Sequence, residues 1–205
     1  ARKRGKRSSV SQALFMPLSV LDLEVEHQNK RDIQRIKEVH LAFSASSFQL
    51  DPVKNVLALF LSEVLFRVVK DTQPDERMYA FLTDSVRILD SVEQGLANFH
   101  VAFLLNLLHY LGIFPNVEHP RDALYFDMLN GIFVCQQPTH PYYLQPAETV
   151  VFQRLLKMSY ENMSLYAFSR QDRVRILHRI FEYYQLHLPD FKEIRSLQIL
   201  QSLFD

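Results

Sequence analysis

The stretch 96–117 reads LANFHVAFLLNLLHYLGIFPNV and contains no Asp, Glu, Lys or Arg. A membrane-spanning helix needs roughly 20 predominantly apolar residues. Here Asn98, His100, Asn106 and His109 interrupt the apolar pattern, and Gly112 and Pro115 stop it. The stretch therefore reads as a buried core helix over about Ala97 to Leu111, with Gly112 placed to close its C-terminus. His100 and His109 on such a helix read as core histidines rather than ligands.

Helices are expected on both sides of it. Asp51-Pro52 is a helix start, an N-cap acid followed by proline at the first helical position. That helix should run to about Asp71, apolar nearly all round except for a stripe carrying Asn55, Glu63, Arg67 and Lys70. Such a helix belongs at the centre of a bundle. Thr72-Gln73-Pro74 breaks it, and a second helix follows from about Asp75 to Val92. Helices resume over about Pro146 to Met158. Ser169 with Asp172 resembles a capping box and opens a helix to about Leu188. Its buried stripe is Leu177, Ile180, Phe181, Tyr184 and Leu188. Pro189 ends it, and SLQILQSLF (196–204) makes a short last helix or an extended tail.

Two regions read as β structure. SVLDLEVEH (19–27) alternates apolar and acidic residues, so a strand is expected over Leu14 to Glu26. Pro17 near its start is tolerable on an edge strand. The polar turn HQNKRD leads into a second strand, Ile33 to Phe43, and consecutive strands suggest an antiparallel hairpin. A lone hairpin is marginal in water, so it must pack on the helices or on further strands. The other region is YFDMLNGIFV (125–134), where Asn130-Gly131 between apolar runs signals a hairpin. It lies in an excursion from the bundle at about 114–146. The expected fold is mainly α, and α+β overall: a helical bundle with a small hairpin excursion and a partial β-sheet at the N-terminal side.

Charge is unevenly placed. The chain has 23 basic and 23 acidic residues. Five of the basic ones, Arg2, Lys3, Arg4, Lys6 and Arg7, fall in its first seven positions, which leaves 18 against 23, or a formal −5, for the rest. A basic leader on an acidic body suggests an interaction arm. The first residue is not Met, and an upstream natural N-terminus is expected. No apolar signal core follows the positive charges. An apolar content of 48% suffices for a sizeable core. One cysteine, Cys135, excludes an internal disulfide framework and a cysteine-based zinc site, and makes a reducing compartment, the cytoplasm, the simpler expectation.

No GxSxG, Walker A or HExxH pattern is present. His178 and Glu182 at i,i+4 read as a surface pair. Glu118, His119 and Asp122 read as solvated loop residues, so no metal or cofactor is expected. Clustered Lys and Arg on one surface bind phosphates without sequence preference. Candidates are the leader, and Arg154 and Lys157 with Arg175 on neighbouring helices; Arg170, Arg173 and Arg179 share that second cluster, which also reads as a solvated face. A partner-peptide groove is weighed at Phe99, Phe103 and Leu104, with Tyr110 beside them, although aromatic stripes at helical spacing are usually core.

The run SVSQALFMPLSVLDLEVEH, then DIQRIKEVHLAF, resembles the last strands of the N-terminal domain in the RecO recombination-repair proteins. FLSEVLFRVV, FHVAFLLNLLHYLGIFPNV, YFDMLNGIFV and SLQILQSLF match further pieces of that family in order, and the likeness is greatest to Bacteroidetes-type members. The resemblance implies residues 1–45 as the closing strands of an incomplete OB-fold, a five-stranded barrel, and residues 46–205 as a RecO-type helical domain. Some members carry a four-cysteine zinc site in the excursion; with Cys135 alone, this chain does not match it. The resemblance further implies a non-enzymatic mediator that binds single- and double-stranded DNA and anneals strands. Its implied partners are RecR, the acidic C-terminal tail of the single-stranded-DNA-binding protein and, indirectly, RecA. The family's basic position before the Phe of the third helix is Asn98 here. The rival reading is a helical protein-interaction or ligand-sensing domain that binds no DNA.

Overall fold

The structure is a computed structural model that describes residues 14–31, 33–69, 73–118 and 122–203. The basic leader lies outside the described residues, as do Lys70 and His119.

The first element is a hairpin of strands β1 (Val20–Glu26) and β2 (Arg35–Phe43). The strands pair antiparallel from Val20 with Phe43 to Glu26 with Arg35, with two irregularities in the ladder. Strand β1 starts later than the pattern predicts, because Pro17 and Leu18 turn the chain there. Leu18 has φ 59°, unusual for a side chain of its size, and its amide donates to Ser62 Oγ at 3.0 Å. Strand β2 also starts late: the Gln34 side chain folds back on the loop, accepting from Gln28 N at 2.7 Å.

A single turn, α1 (Ser47–Leu50), has no visible signal in the sequence and leads into α2 (Pro52–Val68). Asp51 caps α2 by accepting from Val53 N at 2.8 Å, as the sequence predicts. Asp75 caps α3 (Glu76–Ser91) in the same way, through Arg77 N at 2.8 Å. A 3-10 turn at Leu96–Asn98 then feeds α4 (Phe99–Tyr110). This helix, rather than α2, is the centre of the bundle: nine of its twelve residues are buried, whereas α2 exposes Leu59 and Phe66. Gly112, at φ 70°, closes α4 with Ile113 N on Leu108 O at 3.1 Å and Gly112 N on His109 O at 3.2 Å. That pair of bonds is a Schellman cap, which needs the left-handed residue glycine supplies.

The excursion is a three-stranded antiparallel sheet: β3 (Tyr125–Asp127), β4 (Ile132–Val134) and β5 (Tyr143–Leu144), in the order β4-β3-β5. The Asn-Gly hairpin is present, but its loop holds four residues, 128–131, and Gly131 N donates back to Asp127 O at 2.8 Å. A Cβ on Gly131 would meet the Tyr183 hydroxyl at 2.8 Å, so only glycine fits. Strand β5 is two residues long and has no signal of its own in the sequence.

Helices α5 (Pro146–Leu155), α6 (Arg170–His187) and α7 (Ser196–Leu203) complete the chain. The capping box on α6 is present, with Asp172 N on Ser169 Oγ at 3.1 Å and Ser169 N on Asp172 Oδ2 at 3.1 Å. Its buried stripe includes Leu177, Ile180, Phe181 and Tyr184 as expected, with Leu188 only partly buried. The Tyr184 hydroxyl donates to Leu104 O at 2.8 Å and pins α6 to α4. Among the described residues no helix is long and apolar enough to cross a membrane.

Candidate functional site

The groove expected around Phe99, Phe103 and Leu104 is not open. Phe99 and Leu104 are completely buried, and Phe103 reaches only the floor of a crevice beneath β1. They are core residues, because α4 is enclosed on nearly all sides. Asn98 is buried as well. Its Nδ2 donates to Met163 O at 2.9 Å and Tyr166 O at 2.7 Å, so it ties the segment after α5 to the start of α4.

Two apolar grooves of similar size face solvent among the described residues: the crevice beneath β1, of about 390 Å³, and one between α5 and α6, of about 370 Å³. Leu144, Val151, Phe152, Leu155, Phe168 and Ile176 line the floor and walls of the α5/α6 groove. Val151 is exposed there, as is Val150 beside it. Local rules explain the placement. Pro146 starts α5 and Glu148 completes a capping box with Gln145, which turns Val151 and Leu155 toward α6.

The rim carries charge of both signs. Arg179 Nε binds Glu148 Oε1 at 2.9 Å and its Nη1 binds Glu182 Oε2 at 2.8 Å. These bonds hold the guanidinium more firmly charged despite its partial burial. The pairing expected between His178 and Glu182 is taken by Arg179 instead. Arg175 is different: its side chain is 76% exposed and sits 4.0 Å from Asp172, a loose pairing. It borders the groove and also a shallow depression with Arg170 at the start of α6. Arg154 and Lys157 are exposed at the end of α5, outside the groove lining, and neither has an ion pair among the described residues. Arg173 turns inward and donates to Phe168 O at 2.7 Å.

Of the histidines on α4, His100 is core, as read from the pattern, whereas His109 is exposed at the last turn of the helix, against that reading. His100 is fully buried with its ring edge-on to Phe60 at 6.1 Å. Burial, and then the Arg173 charge, push its pKa down to about 3. His109 stacks on Phe114 at 3.5 Å, and burial lowers its pKa. In the excursion Asp122 accepts from the Cys135 thiol at 3.4 Å. Among the described residues no group of His, Cys, Asp or Glu is arranged to hold a metal ion.

Fold and groove together define a class: an α+β domain whose helical bundle carries a pinned sheet excursion and a solvent-facing apolar groove with an arginine at its rim. The model of the family described as Recombination protein O C terminal matches residues 49–197. The chain is 38% identical over 205 residues to the DNA repair protein RecO of Azobacteroides pseudotrichonymphae genomovar. CFP2, covering all of this chain and 85% of that protein. It is 37% identical over 201 residues to the protein of that name from Phocaeicola vulgatus, covering 98% and 83%. With the one from Porphyromonas gingivalis it shares 34% over 205 residues, covering 99% and 84%. The chain belongs to the RecO family, and the Bacteroidetes-type likeness read from the sequence holds.

Proposed function

We propose that this protein serves DNA repair and recombination as a non-enzymatic mediator. In this reading it binds single- and double-stranded DNA, promotes annealing and acts with RecR to help load RecA on DNA coated by single-stranded-DNA-binding protein. The observation that carries the reading is the 37–38% identity with proteins named DNA repair protein RecO along nearly the whole chain.

Three features of the structure support it. Arg154 on α5, Lys157 in the turn that follows it, and Arg170 and Arg175 on α6 are exposed cations, which suits phosphate binding of no sequence preference. The leader, Arg2, Lys3, Arg4, Lys6 and Arg7, would add a second set. The α5/α6 groove offers an apolar seat beside Arg175, matching an acidic peptide with large apolar side chains, and we assign the partner's tail to it. The β1/β2 hairpin keeps an apolar face in solvent, with Leu23, Val25 and Leu41 each more than 40% exposed. That is the expected state of strands belonging to a larger barrel, and residues 1–45 are read as the closing part of an OB-fold.

The test is binding of a labelled single-stranded oligonucleotide over a salt series. Replacing Arg154, Lys157 and Arg175 by Ala should weaken binding and flatten the salt slope by about one unit for each phosphate no longer neutralised. The same should follow for the five leader residues. Absence of binding at low salt by the folded protein would favour the rival reading of a protein-interaction domain. A labelled acidic tail peptide should bind, and Val151→Glu should abolish it.

A further inference from the structure

Helix α7 has only eight residues, too few to hold a helix alone in water. Its first turn contains no acidic residue. The missing cap comes from α2, far away in the chain. The Glu63 carboxylate accepts from Arg195 N at 2.9 Å, Ser196 N at 2.8 Å and Ser196 Oγ at 2.6 Å. Arg67, one turn along α2, lies 3.9 Å from the same carboxylate. Burial alone would raise the pKa of Glu63, but the Ser196 and Arg195 donors and Arg67 outweigh it and hold the group charged.

Among the described side chains of α7, two leucines make its apolar seat. Leu200 is buried and Leu197 half-buried, while Gln198, Ile199 and Ser202 face solvent. The segment before it is anchored separately, since Phe191 and Ile194 are buried and Phe191 packs on Phe181 and Tyr184. The firm anchor therefore ends at Ile194, one residue before the Glu63 bonds begin. On its other side α7 borders functional ground: Gln201 lines the depression that holds Arg170 and Arg175.

We propose that α7 is a strap latched by Glu63, which undocks from α2 as a unit while the bundle stays folded, and whose release opens the Arg170–Arg175 depression to a phosphate-bearing strand. The second half rests on the reading of Arg175 as a DNA-binding residue; the first half does not.

The test is hydrogen–deuterium exchange on the full chain, comparing Glu63→Ala and Leu200→Ser with the unaltered protein. Expected is at least tenfold faster exchange of the amides of residues 196–203 in both variants, with α4 and α6 unchanged. Unchanged protection of α7 would overturn the latch. Equal loss of protection through α2, α4 and α6 would overturn the strap, since α7 would then be part of the core unit. The same proteins are then titrated with a labelled oligo-dT. Leu200→Ser leaves the charge unchanged, so several-fold tighter binding by it, removed by adding Arg170→Ala and Arg175→Ala, supports the opened depression. Faster exchange with unaltered DNA affinity overturns that consequence. Absence of DNA binding by every variant at low salt instead sinks the mediator reading, while the exchange result still decides the strap.

Discussion

Two small antiparallel sheets flank the helical bundle, and they are built in opposite ways. The β1/β2 hairpin is the larger, with sixteen residues in its two strands, yet Leu23, Val25 and Leu41 remain over 40% exposed. The excursion sheet has strands of three, three and two residues, yet Phe126 and Leu144 are essentially inaccessible and Phe133 is buried. The difference lies in what each sheet rests on. Phe126 meets the rings of Phe133, Phe152 and Tyr183 at 4.7–5.9 Å. Tyr183 donates to Ile113 O at 2.9 Å and His187 bonds Met128 O at 2.9 Å, so α6 pins the excursion from below. Ladder length does not decide stability here; apolar burial does.

The strongest test of that contrast is Phe126→Ala. Truncating a fully buried phenylalanine costs roughly 3–5 kcal/mol, from the transfer energy forgone and the cavity left behind. The expected result in urea is a much lower midpoint for the whole domain, because the ring also supports α5 and α6. A loss limited to the excursion would show that the sheet is independent of the bundle.

Next in size is Asp127→Ala. The buried carboxylate accepts from Asn130 N at 3.0 Å, Asn130 Nδ2 at 2.7 Å and His140 Nε2 at 3.2 Å. It holds the turn and the following loop together in a chain region that carries only one cysteine. Its removal should cost about 1–3 kcal/mol, the penalty for losing a charged hydrogen-bond partner. Faster amide exchange should be confined to residues 125–144, and the hairpin should not respond.

Acid separates the regions by a third route. Burial would raise the pKa of Asp127, but the Asn130 and His140 bonds outweigh it and lower it. Its contribution is thus present above the ordinary carboxylate range and lost as pH falls through the lowered folded value. His100 acts over a different window. Its folded pKa of about 3 lies below the ordinary value of 6.5. The unfolded chain therefore binds the extra proton between those values, and stability falls as pH drops through them, by up to ~1.4 kcal/mol per unit. A His100→Gln variant should show a shallower pH dependence of the urea midpoint below the ordinary histidine value of 6.5. An unchanged slope would mean that His100 takes up its proton while folded.

How much of this is legible in the sequence depends on whether the cause is local. Asp51-Pro52, Asp75, Ser169 with Asp172 and the Asn130-Gly131 turn act over a few residues, and each can be read directly. Strand β5 cannot: Tyr143 and Leu144 become a strand only because β3 lies beside them. The site is less legible still. Phe99, Phe103 and Leu104 look like a possible groove because a sequence shows an apolar stripe without showing what covers it. The α5/α6 groove arises where those helices fail to close over Val151 and Phe168, residues seventeen apart that carry no shared motif. The Glu63 cap on Ser196 joins residues 133 apart, and nothing in either local sequence announces it. Arg175 is an exposed cation, as its helical position suggests, but its distinction from Arg179 requires seeing Glu148 reach across from α5.

The smallest effect should fall on the hairpin, and it is the most direct way to break the comparison. Leu23→Thr exchanges an apolar side chain for one of good β propensity on a face that is already wet. Little burial is given up, so the change in unfolding free energy should stay within about 0.5 kcal/mol, as for a surface position. The cross-strand partner Val39 would keep its neighbour, and the ladder its register. The same substitution should matter far more if the face packs against further strands, because a buried Leu is worth roughly 1.5–3 kcal/mol. Measuring Leu23→Thr in this chain and in one of the longer relatives at the corresponding position thus separates two causes of the exposed face. A small cost here with a large cost there places the hairpin in a barrel. Equal small costs in both would leave β1 and β2 as a solvent-facing ribbon and remove the support that their exposure lends to the OB-fold reading.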